Sequence, residues 1–216
     1  DGEPYTLFLD SHHRFAPGWD ALAIALLEAL RAAGAPKPIL TGYLPPYDPR
    51  RDPAARASSI FRIRPIERHD GMLFRLTGDP VPDPSGLAAP LPARFASLHF
   101  LLADGALNAE LAIDSSIYFF VDEIAIALRA YTLGYDLFHP HRVLGWHLYD
   151  RATRVTHWDD HARWRTQHDI SCKRVRALYS GRLRGKYGVG DARTVADYEA
   201  LVGEPLVLPP AAPPAR

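Results

Sequence analysis

Tyr5-Thr6-Leu7-Phe8-Leu9-Asp10-Ser11-His12-His13-Arg14 begins as a short run of aromatic and aliphatic side chains and breaks abruptly into polar ones. That pattern predicts a buried strand whose C-terminal end delivers Asp10 and His12. In α/β sheets, ligands bind at that end. After Pro17 and Gly18, Trp19, Leu22, Leu26, Leu27 and Leu30 fall on one helical face, so Trp19 to Ala33 reads as a helix that Gly34 stops. Strand followed by helix sets the expectation of an α/β fold.

Further along, Pro38 to Gly42 predicts a strand. The proline-rich stretches Leu44 to Arg56 and Pro80 to Pro92 predict loops, and between them Ser59 to Pro65 and Met72 to Leu76 form a short strand pair. Phe95 to Leu102 is another apolar run ending near Asp104 and Gly105. Ile117 to Phe120 leads into Asp122-Glu123, where an amphipathic helix carrying Ile124, Ala127, Leu128 and Tyr131 begins, closed by Gly134. Strands at Asp136 to Phe138 and Val143 to Tyr149 and helices at Ile170 to Ser180 and Thr194 to Val202 complete the reading. Residues 1–207 are expected as one unit, with a Pro/Ala-rich tail over 208–216.

The chain has 216 residues, 47% hydrophobic and 23% charged, enough for one cored domain or part of a larger one. Twenty-five basic residues balance twenty-five acidic ones, which argues against charge-driven binding to nucleic acid or membrane surfaces. Cys172 is the single cysteine, so neither a disulfide framework nor a thiolate zinc cluster is expected, and a reducing, cytoplasmic setting is. No apolar run reaches the roughly 18 residues a membrane span needs. The chain opens on Asp1, and its only methionine is Met72. A processed, excised or partial product is the expectation.

Asp10 and His12 stand two apart, which on a regular strand puts both on one face, where they suit a divalent cation; carboxylate, imidazole and water favour manganese or magnesium. A capped loop with a solvated histidine is the bland alternative. His147, between Trp146 and Tyr149, offers a third ligand or a core histidine bonded to a carbonyl. Asp122 and Glu123 begin a helix, where its dipole stabilises carboxylates by about 0.3–1 kcal/mol without any catalytic role. Alternatively, one of them faces a cleft and orients a hydroxyl. His139 and His141 around Pro140, and the group His157, Asp159, Asp160 and His161, offer metal-like sets, but neither has finger spacing or cysteines, which favours solvated loops. Arg182, Arg184 and Lys186, among Gly185, Gly188 and Gly190, form a basic stretch suited to clamping a diphosphate or to a solvated surface.

Taken in order, these motifs resemble the hydroxyproline-type polypeptide N-acetylglucosaminyltransferase family. Four blocks carry the resemblance: Leu9-Asp10-Ser11-His12-His13-Arg14-Phe15 with Gly18-Trp19-Asp20; Phe119-Phe120-Val121-Asp122-Glu123-Ile124 with Arg129, Thr132 and Gly134-Tyr135-Asp136-Leu137-Phe138; His147-Leu148-Tyr149-Asp150-Arg151; and Tyr187-Gly188-Val189-Gly190 with Arg193-Thr194 and Tyr198-Glu199. Val121 stands where the family has glycine, and Asp122 where it has glutamate. The resemblance implies a GT-A-type enzyme, an α/β fold with a mixed sheet flanked by helices, transferring N-acetylglucosamine from UDP-GlcNAc to a hydroxyl on a protein or glycan, with retention. Asp10, His12 and His147 then match its metal site, holding Mn2+ or Mg2+ against the diphosphate. Asp122 and Glu123 match its paired acids near sugar and acceptor, and Arg14 and Trp19 fall to donor binding. Trp19, Tyr118 and Trp146 are candidates for stacking on sugar or base, with core packing equally open. The family's uridine-binding strands would precede Asp1, so a missing N-terminal half or a second chain is expected to supply them. An inactive carbohydrate- or protein-binding remnant is the alternative.

Overall fold

The computed structural model describes residues 2–81, 83–150 and 155–209. Pro82 in the second proline-rich stretch, Arg151 at the end of the third motif block, the side chain of His157 and the tail from residue 210 lie outside the described residues. In chain order the elements are β1 (Tyr5–Leu9), β2 (His13–Phe15), α1 (Trp19–Ala32), β3 (Pro38–Thr41), β4 (Ile60–His69), β5 (Met72–Val81), β6 (Leu91–Pro92), β7 (Phe100–Asp104), α2 (Leu107–Glu110), α3 (Asp122–Thr132), β8 (Asp136–His139), β9 (Gly145–His147), α4 (His157–Asp160), α5 (Trp164–Tyr179) and α6 (Val195–Val202).

Five strands make a mixed sheet in the order β1-β7-β3-β8-β6. β7 runs antiparallel to both β1 and β3, while β3 runs parallel to β8. Successive side chains on a strand point to opposite faces, and this alternation divides the core in two. On one face Ile39, Leu101, Ala103 and Leu137 pack with α3, α5 and α6. On the other, Leu40, Phe100 and Leu102 pack against Ala23, Leu26, Leu27 and Leu30 of α1. Each leucine so buried contributes about 1.5–3 kcal/mol. The result is the α/β arrangement expected, a mixed sheet between helical layers. Leu22, expected on the buried face of α1, is exposed, because the buried stripe runs through Ala23, Leu26, Leu27 and Leu30 instead.

Three further expectations change. The strand pair is a much longer hairpin, in which β4 pairs with β5 out to Ile60 and Val81 across a register shift near Pro65. Its turn is Asp70-Gly71, with φ of 48° and 75°, the double positive φ of a type I′ turn that Asp-Gly favours. This two-stranded sheet has no central position, so Pro80 is tolerated in it, and the supposed loop from Pro80 begins as strand. Leu91–Pro92, at the end of the same stretch, pairs with β8 at the edge of the main sheet. α5 also starts earlier than predicted, since Arg165, Thr166, Gln167 and Asp169 in its first turns are exposed and show no apolar stripe.

The last motif block is structural. Arg129 of α3 is 2% exposed and donates to the carbonyls of Ala112 (2.7 Å), Lys186 (2.7 Å) and Gly188 (3.2 Å). A Cβ on Gly190 would lie 2.5 Å from the Thr132 carbonyl oxygen. Thr194 and Asp197 form a capping box at the start of α6. Tyr198, fully buried, donates to the Arg94 carbonyl (2.7 Å), and Glu199 accepts from the Leu206 N–H (2.8 Å).

Candidate active site and metal centre

Strand register builds the site. Leu9 of β1 pairs with Phe100 of β7, so the next residue, Asp10, comes opposite His99, and the Asp10 N–H donates to the His99 carbonyl (3.3 Å). Beyond it the chain turns into β2, where His13 pairs directly with His147 of β9. Two sheets thus bring one carboxylate and three imidazoles together. Asp10 Oδ2 lies 3.1 Å from His147 Nε2. The His99 and His147 ring centroids are 3.8 Å apart, and those of His13 and His147 4.9 Å.

The three histidines each offer a ring nitrogen within 4.8 Å of the others'. His13 Nδ1 bonds the Asp10 carbonyl (2.8 Å). His13 Nε2, His99 Nε2 and His147 Nδ1 are buried with no hydrogen-bond partner among the described residues. Leaving a buried polar atom unpaired costs about 1–3 kcal/mol, so three in one place mark a site that something polar completes. Burial and the neighbouring imidazoles push His99 down to about 3 and, against the opposing pull of Asp10, His147 down to about 4. Burial alone would raise Asp10, but the Ser11 N–H and the adjacent histidines outweigh it and hold the carboxyl at about 2. At neutral pH the group is one carboxylate and neutral imidazoles, the protonation state in which they bind cations.

His12 sits beside this group with its ring 6.0 Å from that of His147. The chain between β1 and β2 is not regular strand, so the two-residue spacing does not place His12 on the face of Asp10. His13 and His99 take the adjoining places.

Asp10, His99 and His147 line a cavity of about 890 Å³, and Asp122 and Glu123 line it too. Both acids open α3 after a turn through Phe119, whose φ is 52°. Glu123 accepts from Tyr43 Oη (2.6 Å) and, very closely, from Ser97 Oγ. Ser97 Oγ in turn accepts from the His99 N–H (3.1 Å), linking the acids to the histidine group. Burial and the charge of Glu123 raise Asp122 to about 7. Burial raises Glu123 as well, offset by Ser97 and Tyr43. Further lining comes from the hairpin, through Arg75 and Thr77, and from the aromatic rings of Phe120 and Trp158, stacked at 6.0 Å.

Other expected residues fall elsewhere. Trp19 stacks on Phe15 at 4.1 Å and meets Phe100 in the second core. Arg14 lies over the Tyr47 ring at 5.5 Å, and neither residue lines the cavity. Trp146 donates to the Ala57 carbonyl (2.8 Å) beneath Arg56. His139 is structural: Nδ1 bonds the Thr41 carbonyl (2.8 Å) and Nε2 accepts from the Ile63 N–H (3.2 Å). The basic stretch around Lys186 lies away from the cavity, and Gly188 and Gly190 beside it are required by close backbone contacts. Tyr43, Ser97, His13 and His99 were not singled out from sequence.

A family model described as "Glycosyltransferase (GlcNAc)" matches residues 1–204. The chain belongs to this glycosyltransferase family. The match supports a GlcNAc glycosyltransferase without reaching the hydroxyproline-type subfamily, and no curated protein matches the chain. Within the glycosyltransferase, no described helix is long and apolar enough to cross a membrane.

Proposed function

We propose that this glycosyltransferase transfers N-acetylglucosamine from UDP-GlcNAc to a hydroxyl of a protein or glycan, retaining the anomeric configuration and depending on a divalent cation. The observation that carries this reading is the meeting of Asp10 with His147 in the wall of the cavity that Asp122 and Glu123 share. The ring nitrogens that His13, His99 and His147 bring within 4.8 Å of one another fit a cation. Nitrogen donors suit manganese better than magnesium, which seeks oxygen. We assign Asp10, His99, His147 and His13 to hold it, with His12 alongside. When bound, such an ion supplies Lewis-acid stabilisation of charge on a departing diphosphate.

The chain's own residues do the remainder. Asp122, poised near neutrality, accepts a hydrogen bond from a sugar or acceptor hydroxyl and orients it. Glu123, fixed by Tyr43 and Ser97, holds the acid pair in place. Phe120 and Trp158 offer an apolar face to a sugar ring. Arg75, paired with Glu67 at 2.9 Å, brings a guanidinium to the cavity for anionic oxygens. Uridine-binding strands, if supplied by further chain or a second copy, have the outer edge of β1 to pair with, since β1 ends the sheet. A reducing compartment suits the free thiol of Cys172.

Calorimetry with manganese and UDP tests the reading. UDP binding that requires manganese and is lost in Asp10→Ala and His147→Ala is the expected result. Absence of UDP binding in the wild type, with or without manganese, supports the inactive remnant instead.

A further inference from the structure

A second group of metal-ligating side chains lies outside the cavity. His168 and Cys172 are four apart on α5, hence on one face of the helix, and Cys172 Sγ sits 3.5 Å from His168 Nε2. His69, the last residue of β4, faces them from the hairpin, its ring 5.4 Å from that of His168. The three offer ligand atoms within 4.8 Å of one another. Phe74 packs against both histidine rings and backs the group with apolar surface. The Asp70 carboxylate lies 3.7 Å from His69 Nε2, within reach of a fourth position.

We infer that His69, His168 and Cys172 form a second cation site, for a zinc-class ion, that clips the β4–β5 hairpin to α5. A thiolate with two imidazoles is the soft-to-borderline donor set that zinc takes in four-coordinate geometry, and it suits manganese and magnesium poorly. The thiol must release its proton to solvent as the metal–sulfur bond forms. The clip has a mechanical role. β4 and β5 form a two-stranded sheet of their own, bridged to Val207 at Met72, yet Arg75 and Thr77 of β5 wall the cavity, so a clip at the turn end of the hairpin helps to fix that wall. Arg176 donates to the Asp70 carbonyl (2.7 Å), a protein-only tie between the same two elements beside the site.

Cobalt tests this directly, because Cys172 is the chain's single cysteine and any thiolate-to-cobalt charge-transfer band reports it alone. The reduced full chain titrated with cobalt is expected to develop that band, saturating by two equivalents because the cavity histidines also take cobalt, and zinc should abolish it. Asp10→Ala and His147→Ala should leave the band intact, which separates this site from the cavity, whereas His69→Ala and His168→Ala should each weaken cobalt binding at least ~10-fold. No band in the wild type, or an undiminished band when His69 and His168 are both alanine, overturns the inference. Alkylation of Cys172 in the wild type needs no variant: zinc should slow it at least ~10-fold, and equal rates with and without zinc overturn the site.

Discussion

Asp10 Oδ2 and His147 Nε2 meet at 3.1 Å across a sequence separation of 137 residues. The contact joins the end of β1 to β9, a strand of a different sheet, through the cross-strand pairing of His13 with His147. It sits beside two further imidazoles with unpaired nitrogens, and the predictions that follow depend on that assembly.

His99→Ala removes one nitrogen from the three-histidine group without touching Asp10. Manganese affinity measured by calorimetry should fall ~10- to 100-fold. The fold should persist, because the His99 backbone bonds to Asp10 and Ser97 survive the change.

Asp122→Asn should lower turnover about 100-fold while leaving UDP affinity nearly unchanged, because the proposed assignment sets the carboxylate on a hydroxyl rather than on the diphosphate. The wild-type rate should rise with pH through about 7 as Asp122 ionises, and the variant should lose that limb. Equal losses of turnover and UDP binding would contradict the assignment.

Acid should unfold the protein in two stages. His99 and His147 are held at about 3 and about 4 in the fold, against an ordinary 6.5, so protons prefer the unfolded chain. The stability they contribute is present above pH 6.5 and lost as pH falls toward 4 and 3. Asp10, depressed from 3.8 to about 2, adds a loss only across that lower window. Asp122 acts oppositely, its contribution fading as pH rises through about 7. Urea unfolding at several pH values checks this, and His99→Gln should flatten the first stage.

Arg129→Met should cost about 3–5 kcal/mol of stability, since the buried guanidinium satisfies three carbonyls at once and the change strands them. Thermal unfolding should show the loss. Activity of the folded fraction should be unaffected if Arg129 is purely a scaffold residue.

Much of the architecture was legible because local patterns and tertiary burial agree. The strand ending at Leu9, helix α1 and the acids opening α3 lie where the pattern puts them, although β1, expected buried, is only half-buried with Leu9 exposed, and Leu22 leaves the α1 stripe. The hairpin was read short because its outer residues alternate weakly and carry prolines, although Asp70-Gly71 was a usable turn signal. His99 stayed hidden for a topological reason. β7 runs antiparallel to β1, so the C-terminal end of β1 adjoins the start of β7, and a rule that inspects strand C-termini passes over His99. His13 was read only as part of a motif, because the break in strand after Leu9 shifts which histidine turns toward Asp10. Tyr43 and Ser97 carry no pattern of their own and matter only through Glu123.

The three imidazoles come from positions 13, 99 and 147, each at the margin of a different strand. A disordered chain scatters them, and closing such long loops costs entropy that only the completed sheets offset. Under the proposed cation dependence, capture of an ion there has to wait until β9 has emerged and docked, which would make that capture a reporter of maturation.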